Sequence, residues 1–202
     1  MEHLSFFFSV YIKFFFIMTP FFVTTIFLSM TKGIENKDKK RFAIKVTFAV
    51  IVTCMIILYF GKYIFELFGI TLDAFRIGAG ALLFLTAIDL VQKDINTEVI
   101  CKTDIEKHTV VPLAIPVTVG PGTVGALMVM GAEMKSISDV TFGSLALLCA
   151  VISVGAMLYL SGRIEKIMGT TGLIVLSKVT GLILAALSAQ LIFTGIKGFL
   201  YS

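Results

Sequence analysis

Long apolar stretches, separated by short charged segments, make up most of the chain. A membrane-spanning helix needs about 20 consecutive, mostly apolar residues. None of the charged segments is long enough to form a soluble domain. The pattern therefore predicts an all-α integral membrane protein, a single transmembrane domain over residues 1–202. Its six spanning helices are expected at roughly 5–31, 42–61, 71–91, 109–134, 140–161 and 173–198.

Composition indicates the same class of protein. Of the 202 residues 57% are hydrophobic and 15% are charged, and the mean hydropathy is +0.99. Soluble domains are about 45–50% apolar and about 25% charged. The first apolar run lacks the basic start and the small-residue cleavage site of a removable signal peptide, so we expect it to be retained. The three cysteines are scattered, which argues against a metal site or a disulfide framework.

Basic residues are distributed unevenly between the two sides of the predicted membrane domain. Most of the 17 Lys and Arg residues follow the first, third and fifth spans. Because such an excess marks cytoplasmic loops, we predict a multi-pass protein of the cytoplasmic (inner) membrane with both termini outside the cytoplasm. The same placement explains the net charge of +4 without nucleic-acid binding. These residues are Lys32, Lys37, Lys39, Lys40, Arg41, Lys45, Lys93, Lys102, Lys107, Arg163 and Lys166.

The two halves of the chain are similar to each other. FRIGAGALLFLTA (75–87) aligns with SKVTGLILAALSA (177–189) at an offset of 102 residues, and Thr19-Pro20 aligns with Gly120-Pro121 at an offset of 101. We therefore predict two three-helix repeats, at about 1–92 and 108–202. Because three is odd, the copies must cross the membrane in opposite directions. Inverted repeats with interrupted helices at matching positions are typical of secondary transporters.

Helix-breaking residues occur at matching positions in the first and fourth spans. The stretch PLAIPVTVGPG (112–122) holds three of the four prolines. Proline costs about 3 kcal/mol in a helix interior, and irregular backbone at membrane depth is tolerated only inside the protein or beside a water-filled cavity. Helices 1 and 4 are therefore predicted to be discontinuous. Their second halves should start at Pro20 and Pro121, with Thr19 and Gly120 at the N-cap positions.

Two half-helices that start near the midplane from opposite sides would present unpaired N–H groups and the positive ends of two helix dipoles. Such a pair predicts an anion site that suits a carboxylate. Proline kinks also occur in membrane helices that bind no ligand, and Thr24 could instead hydrogen-bond to its own helix. The predicted substrate-binding residues are Thr19, Pro20, Phe21, Phe22, Thr24, Pro116, Gly120, Pro121, Gly122 and Thr123.

Three further polar residues lie within the spans and are candidates for gating or coupling. Arg76 could attract a substrate or gate its path, or could pair with Asp73 near the outer surface. Lys178, its repeat partner, could gate or snorkel, and Gln190 could bind substrate or a neighbouring helix. The sequence contains no nucleophile with a base, phosphate loop or metal-ligand pair. We therefore expect no enzymatic activity, no metal and no cofactor.

The stretch VVPLAIPVTVGPGTVGALM (110–128), supported by FGITLDAFRIGAGALLFLTAIDL (68–90) and GLILAALSAQLIF (181–193), resembles the MarC family of bacterial membrane proteins, within the LysE-like exporter superfamily. The resemblance runs nearly end to end. It implies six spans in two inverted repeats and, for the branch characterised as small neutral amino acid transporters, carriage of glycine and alanine coupled to protons. The family usually has Asn where this chain has Thr19. The matching positions are Pro20, Arg76, Pro116, Gly120, Pro121 and Gly122.

We therefore expect a secondary transporter of small neutral amino acids. Protons and membrane lipid are its other expected partners, and assembly into a homo-oligomer is left open. Two alternatives remain at this point. One is a non-transporting membrane bundle with a structural or partner-binding role, and the other is an exporter of another small metabolite.

Overall fold

The computed structural model describes residues 2–92, 118–134 and 136–201. In these ranges the regular structure is entirely α-helical, which confirms the predicted class. The helices are α1 (Glu2–Ile17), α2 (Pro20–Met30), α3 (Asn36–Phe68), α4 (Leu72–Gln92), α5 (Pro121–Glu133), α6 (Ile137–Tyr159) and α7 (Ser161–Tyr201).

Four of these helices, α3, α4, α6 and α7, are each long and apolar enough to cross a membrane. The pair α1 and α2, bent by 41° at the break between them, is a fifth candidate span. The second half of the predicted fourth span is α5, whose 13 residues are too short to cross alone. Residues 109–117 of the predicted fourth span, with Pro116 among them, lie outside the described residues.

The chain between the fifth and sixth predicted spans, expected to be a charged or turn-like linker at 161–172, is mostly helical. In the structure α7 is helical from Ser161 and is interrupted at Gly169, whose φ is 68°. A helix satisfies its own backbone hydrogen bonds and can therefore continue beyond the apolar core, while charged side chains such as Arg163 extend outward. The left-handed conformation at Gly169 changes the chain direction before the spanning part begins.

Among the described helices, α4 and α7 pack closely against each other and run antiparallel. A Cβ at Gly80 would lie 3.0 Å from the carbonyl oxygen of Ser188, and one at Gly181 would lie 3.1 Å from that of Ala87. At the other end, a Cβ at Gly195 would lie 2.7 Å from the carbonyl oxygen of Asp73. Small residues thus allow the two backbones to approach at three levels between Asp73 and Ala87 of α4, as is common in membrane proteins.

The helices α3 and α6 form a second antiparallel pair. The Lys40 ammonium lies 4.9 Å from the centre of the Tyr159 ring, and the hydroxyls of Tyr59 and Ser144 hydrogen-bond at 2.8 Å. The start of α3 and the end of α6 therefore share one end of the bundle. We call it the basic end. The opposite end, where α4 begins and α5 and α7 finish, is called the Arg76 end.

Large apolar side chains pack inside the bundle and also cover its outer surface. Phe14, Leu83 and Leu147 are nearly inaccessible, whereas Phe48 and Phe193 are 68% and 71% exposed. Apolar side chains on the outside are stable where the surroundings are hydrocarbon. The distribution agrees with a membrane domain.

Candidate functional site

The first break lies between α1 and α2, where the chain turns at Thr19. Its backbone is left-handed, with φ 47° and ψ 58°, and Thr19 is the one residue other than glycine with positive φ in the described ranges. Thr19 occupies the predicted N-cap position and Pro20 the first helical position. The side chain of Thr19 makes no capping hydrogen bond. A left-handed conformation disfavours β-branched residues and costs roughly 1–2 kcal/mol.

The second helix start repeats the first in its hydrogen bonding. Gly120 is the N-cap of α5, in extended conformation, and Pro121 is the first helical residue. The first intrahelical bonds run from Val23 to Thr19 over 3.0 Å and from Val124 to Gly120 over 2.9 Å. Both predicted helix starts are confirmed. The N–H groups that precede these bonds belong to Phe21, Phe22, Gly122 and Thr123.

The two helix starts are neighbours in space. The hydroxyl of Thr123, in the first turn of α5, donates to the carbonyl of Ile17 over 3.4 Å. Ile17 is the last residue of α1, two positions before Thr19, and both bonded residues are buried. The break removes the helical partner of that carbonyl, and Thr123 provides another donor. The structure thus joins the first break to the start of α5, as the anion-site hypothesis requires.

Two of the predicted binding residues have other contacts. A Cβ at Gly122 would lie 2.9 Å from the α-carbon of Leu83, so the missing side chain at Gly122 allows the backbone of α4 to approach. The fully buried Thr24 donates its hydroxyl hydrogen to the carbonyl of Pro20 over 2.7 Å. Of the two uses considered for Thr24, the hydrogen bond within its own helix is therefore the observed one.

A cavity of about 250 Å³ opens among α1, α4, α5 and α7 near the Arg76 end. Of the predicted residues, Arg76 and Gln190 line it, whereas the residues at the helix starts and Lys178 do not. It reaches Ile17 and Ala126, which are two and three residues from Thr19 and Thr123. The cavity therefore ends beside the two helix starts. Its other lining residues are Lys13, Phe14, Leu83, Val129, Met130, Glu133, Leu187, Leu191 and Thr194.

Charged residues meet on the cavity wall at its outer part. Arg76 donates to Asp73, one helical turn before it, over 2.5 Å, which confirms the predicted pair. It also donates through Nε and Nη2 to one oxygen of Glu133, over 3.2 and 2.6 Å. The side chain of Arg76 is only 17% exposed, and that of Glu133 is 46% exposed. A bonded guanidinium of this kind is fixed in position and remains charged.

Sequence reasoning missed Glu133. It is the last residue of α5 and lies 57 positions from Arg76 along the chain, so no local spacing connects the two. The packing of α4 against α5 brings them together. A Cβ at Gly125 would lie 2.5 Å from the Cβ of Ala79, which shows how closely these two helices approach.

Comparison with known proteins gives a consistent result over almost the whole chain. A family model described as MarC family integral membrane protein matches residues 4–200. A UPF0056 membrane protein of Methanocaldococcus jannaschii is 32% identical over 203 residues, covering 98% of both chains. One from Pyrococcus abyssi is 32% identical over 206 residues, again 98% of both. The UPF0056 membrane protein YhcE of Escherichia coli K12 is 30% identical over 201 residues, 95% of this chain and 94% of its own. No solved structure matches the chain.

Proposed function

The chain belongs to the MarC family of integral membrane proteins, and from this premise we propose that it is a secondary transporter of small neutral amino acids, of the glycine and alanine class, coupled to protons. One observation carries the proposal. The two helix starts have the same first-turn hydrogen bonding, are joined by the contact of Thr123 with Ile17, and lie beside the end of a cavity that reaches Ile17 and Ala126. Discontinuous helices that meet at a cavity end are the usual substrate sites of such transporters.

The packing of the two halves supports an inverted repeat. The helices α3 and α6 occupy corresponding places in the proposed repeats, as do α4 and α7, and both pairs run antiparallel. A two-fold axis in the membrane plane relates helices in this way. The first-turn bonds at Val23 and Val124 agree with the 101-residue offset of the sequence. Movement of one repeat relative to the other would expose the helix starts alternately to the two sides.

The size and polarity of the cavity support a small zwitterionic substrate. Its volume of about 250 Å³ lies below the roughly 300–1,000 Å³ of pockets for drug-sized ligands. Charged groups line the outer part, and Ile17, Leu83 and Ala126 line the inner part. In the proposal, the substrate carboxylate passes Arg76 and binds the amides at the helix starts. Its small apolar side chain contacts the apolar wall.

For proton coupling, the described part of the cavity wall supplies one carboxylate, that of Glu133. The orientation follows from the basic end, which carries the Lys and Arg residues of 37–41 and 163–166. With that end in the cytoplasm, the cavity opens to the outside of the inner membrane and both termini lie outside the cytoplasm. The structure then corresponds to an outward-facing state.

Counterflow in proteoliposomes tests this proposal. Vesicles that contain the purified protein and unlabelled alanine should accumulate labelled glycine or alanine, and a pH gradient should change the rate. Ala126→Leu adds side-chain volume inside the cavity and should reduce exchange at least tenfold. Ala81→Leu is the matched control, since Ala81 is an exposed residue of α4 that does not line the cavity.

Two results would contradict the proposal. Absence of exchange for every neutral amino acid, with protein that is folded and inserted, would favour a non-transporting bundle. Equal exchange by Ala126→Leu and the wild type would show that transport does not use this cavity. Exchange of another small metabolite in the same vesicles would keep the transporter class and change the substrate.

A further inference from the structure

A second concave surface lies away from the candidate site, on the outside of the bundle between α3 and α6. This groove has a volume of about 600 Å³. Most of its wall is exposed, so it faces the surroundings of the bundle. The wall residues used below are Ile44, Phe48 and Ile51 of α3 and Ile152, Ala156 and Tyr159 of α6.

The chemistry of the groove excludes a polar ligand from its length. Its wall is apolar apart from Thr47 and Tyr159. The hydroxyl of Thr47 donates to the carbonyl of Ala43 over 2.8 Å, within its own helix. The floor is formed where Thr47 packs on Gly155, since any Cβ at Gly155 would clash with that side chain. The groove therefore offers hydrocarbon contacts along almost all of its length.

A positive charge lies at one end of the groove. Lys40 places its ammonium 4.9 Å from the centre of the Tyr159 ring, and that ring is part of the groove wall. Lys40 is exposed and belongs to the segment 37–41, which has four basic residues and Asp38. The groove thus combines an apolar channel with a cation at the basic end.

We propose that this groove binds an anionic phospholipid, with one acyl chain in the channel and the phosphate against Lys40. The length supports this occupant. From Ile44 to Ile51 the helix rises about 10 Å, a large part of the roughly 15 Å of hydrocarbon in one leaflet. The direction supports it as well, because the cation lies at the helix end and the apolar channel extends from there towards the middle of the bundle. A second copy of the chain, packed in the apolar groove, would not require the Lys40 ammonium at the end of that groove.

The test uses the full-length protein in detergent, with phosphatidylglycerol and phosphatidylcholine of identical acyl chains. Native mass spectrometry counts bound lipid, and thermal unfolding reports the stabilisation that binding to the native state produces. The wild type should retain phosphatidylglycerol in preference to phosphatidylcholine and should gain thermal stability from it alone.

Two pairs of variants separate the parts of the site. Lys40→Gln should weaken phosphatidylglycerol binding about fivefold, whereas Lys37→Gln, which removes the same charge from the same segment, should not. Ala156→Phe fills the groove and should abolish retention of either lipid. Leu145→Phe enlarges an exposed residue of α6 outside the groove and should leave binding unchanged.

Three outcomes would overturn the proposal. The first is equal retention of the two lipids by the wild type. The second is an equal loss of binding in Lys40→Gln and Lys37→Gln. The third is a change of oligomeric state, without a change in bound lipid, in Ala156→Phe, which would show that the groove is an interface between copies. Should Ala156→Phe fail to fold, the lysine pair still decides the question.

Discussion

Replacement of Thr19 by Asn should stabilise the protein, although the residue is buried at the first break. Thr19 is held in the left-handed conformation, at φ 47° and ψ 58°. Its β-branched side chain is among the least suited to that region, whereas Asn is several-fold enriched there.

The size of the effect follows from the local contacts. The left-handed conformation costs an ordinary residue roughly 1–2 kcal/mol. No capping hydrogen bond is lost on substitution, because the Thr19 side chain makes none. A side-chain amide at a position only 5% exposed adds some desolvation cost. We therefore expect a net gain of about 1 kcal/mol, which corresponds to a rise in Tm of about 2–4 °C for a chain of this size.

Thermal unfolding in one detergent can be followed by far-ultraviolet circular dichroism, which reports loss of helix. Tryptophan fluorescence cannot be used, because the chain contains no Trp. Thr19→Val keeps the β-branch and therefore the backbone strain, so it should change stability by no more than about 0.5 kcal/mol, or about 1–2 °C in Tm. Thr141→Asn is the matched control in ordinary helix, where Thr141 bonds to the carbonyl of Ile137.

Thr19→Asn with a Tm equal to or below that of the wild type would refute the strain argument. A rise of the same size in Thr141→Asn would also refute it, because the gain would then come from Asn in general. Thr19→Gly offers a further check. It accepts the same φ but gives a more flexible unfolded chain, so its gain should be smaller than that of Asn.

Three other predictions follow from packing and charge. Arg76→Gln should lower the rate of alanine exchange about tenfold. Arg76→Lys keeps the charge but loses the two-nitrogen contact with Glu133, so its rate should lie between those of Arg76→Gln and the wild type. Wild-type rates in both variants would rule out a role for the guanidinium. Gly80→Leu should prevent folding, seen as loss of the monodisperse peak in size-exclusion chromatography, because its Cβ would meet the backbone of α7. The side chain of Gly78→Leu would enter open space, so this variant should remain monodisperse. Tyr59→Phe should lower stability by about 0.6 kcal/mol through loss of its hydrogen bond to α6, and an unchanged melting curve would show that the bond contributes nothing.

The membrane class, most span positions and both helix starts could be predicted from the sequence. Each of these depends on local chemistry: a run of apolar residues long enough for a bilayer, or a proline that cannot continue a helix whatever surrounds it. The Asp73–Arg76 pair was predictable for the same reason, because three residues of one helix set its geometry. The helical structure of 161–172 was not predictable, since charged residues do not determine whether a helix continues beyond the membrane.

The partners across the bundle depend on tertiary packing, and local patterns carry no information about them. The contact of Gly122 with the backbone of α4 at Leu83 is one example, because the two residues are far apart in the sequence. Glu133 meets Arg76 because α5 packs on α4, and Thr123 meets Ile17 because the two interrupted spans lie together. The left-handed backbone conformation of Thr19 also depends on tertiary packing. An isolated chain would avoid this conformation at a threonine, so the surrounding contacts must stabilise it.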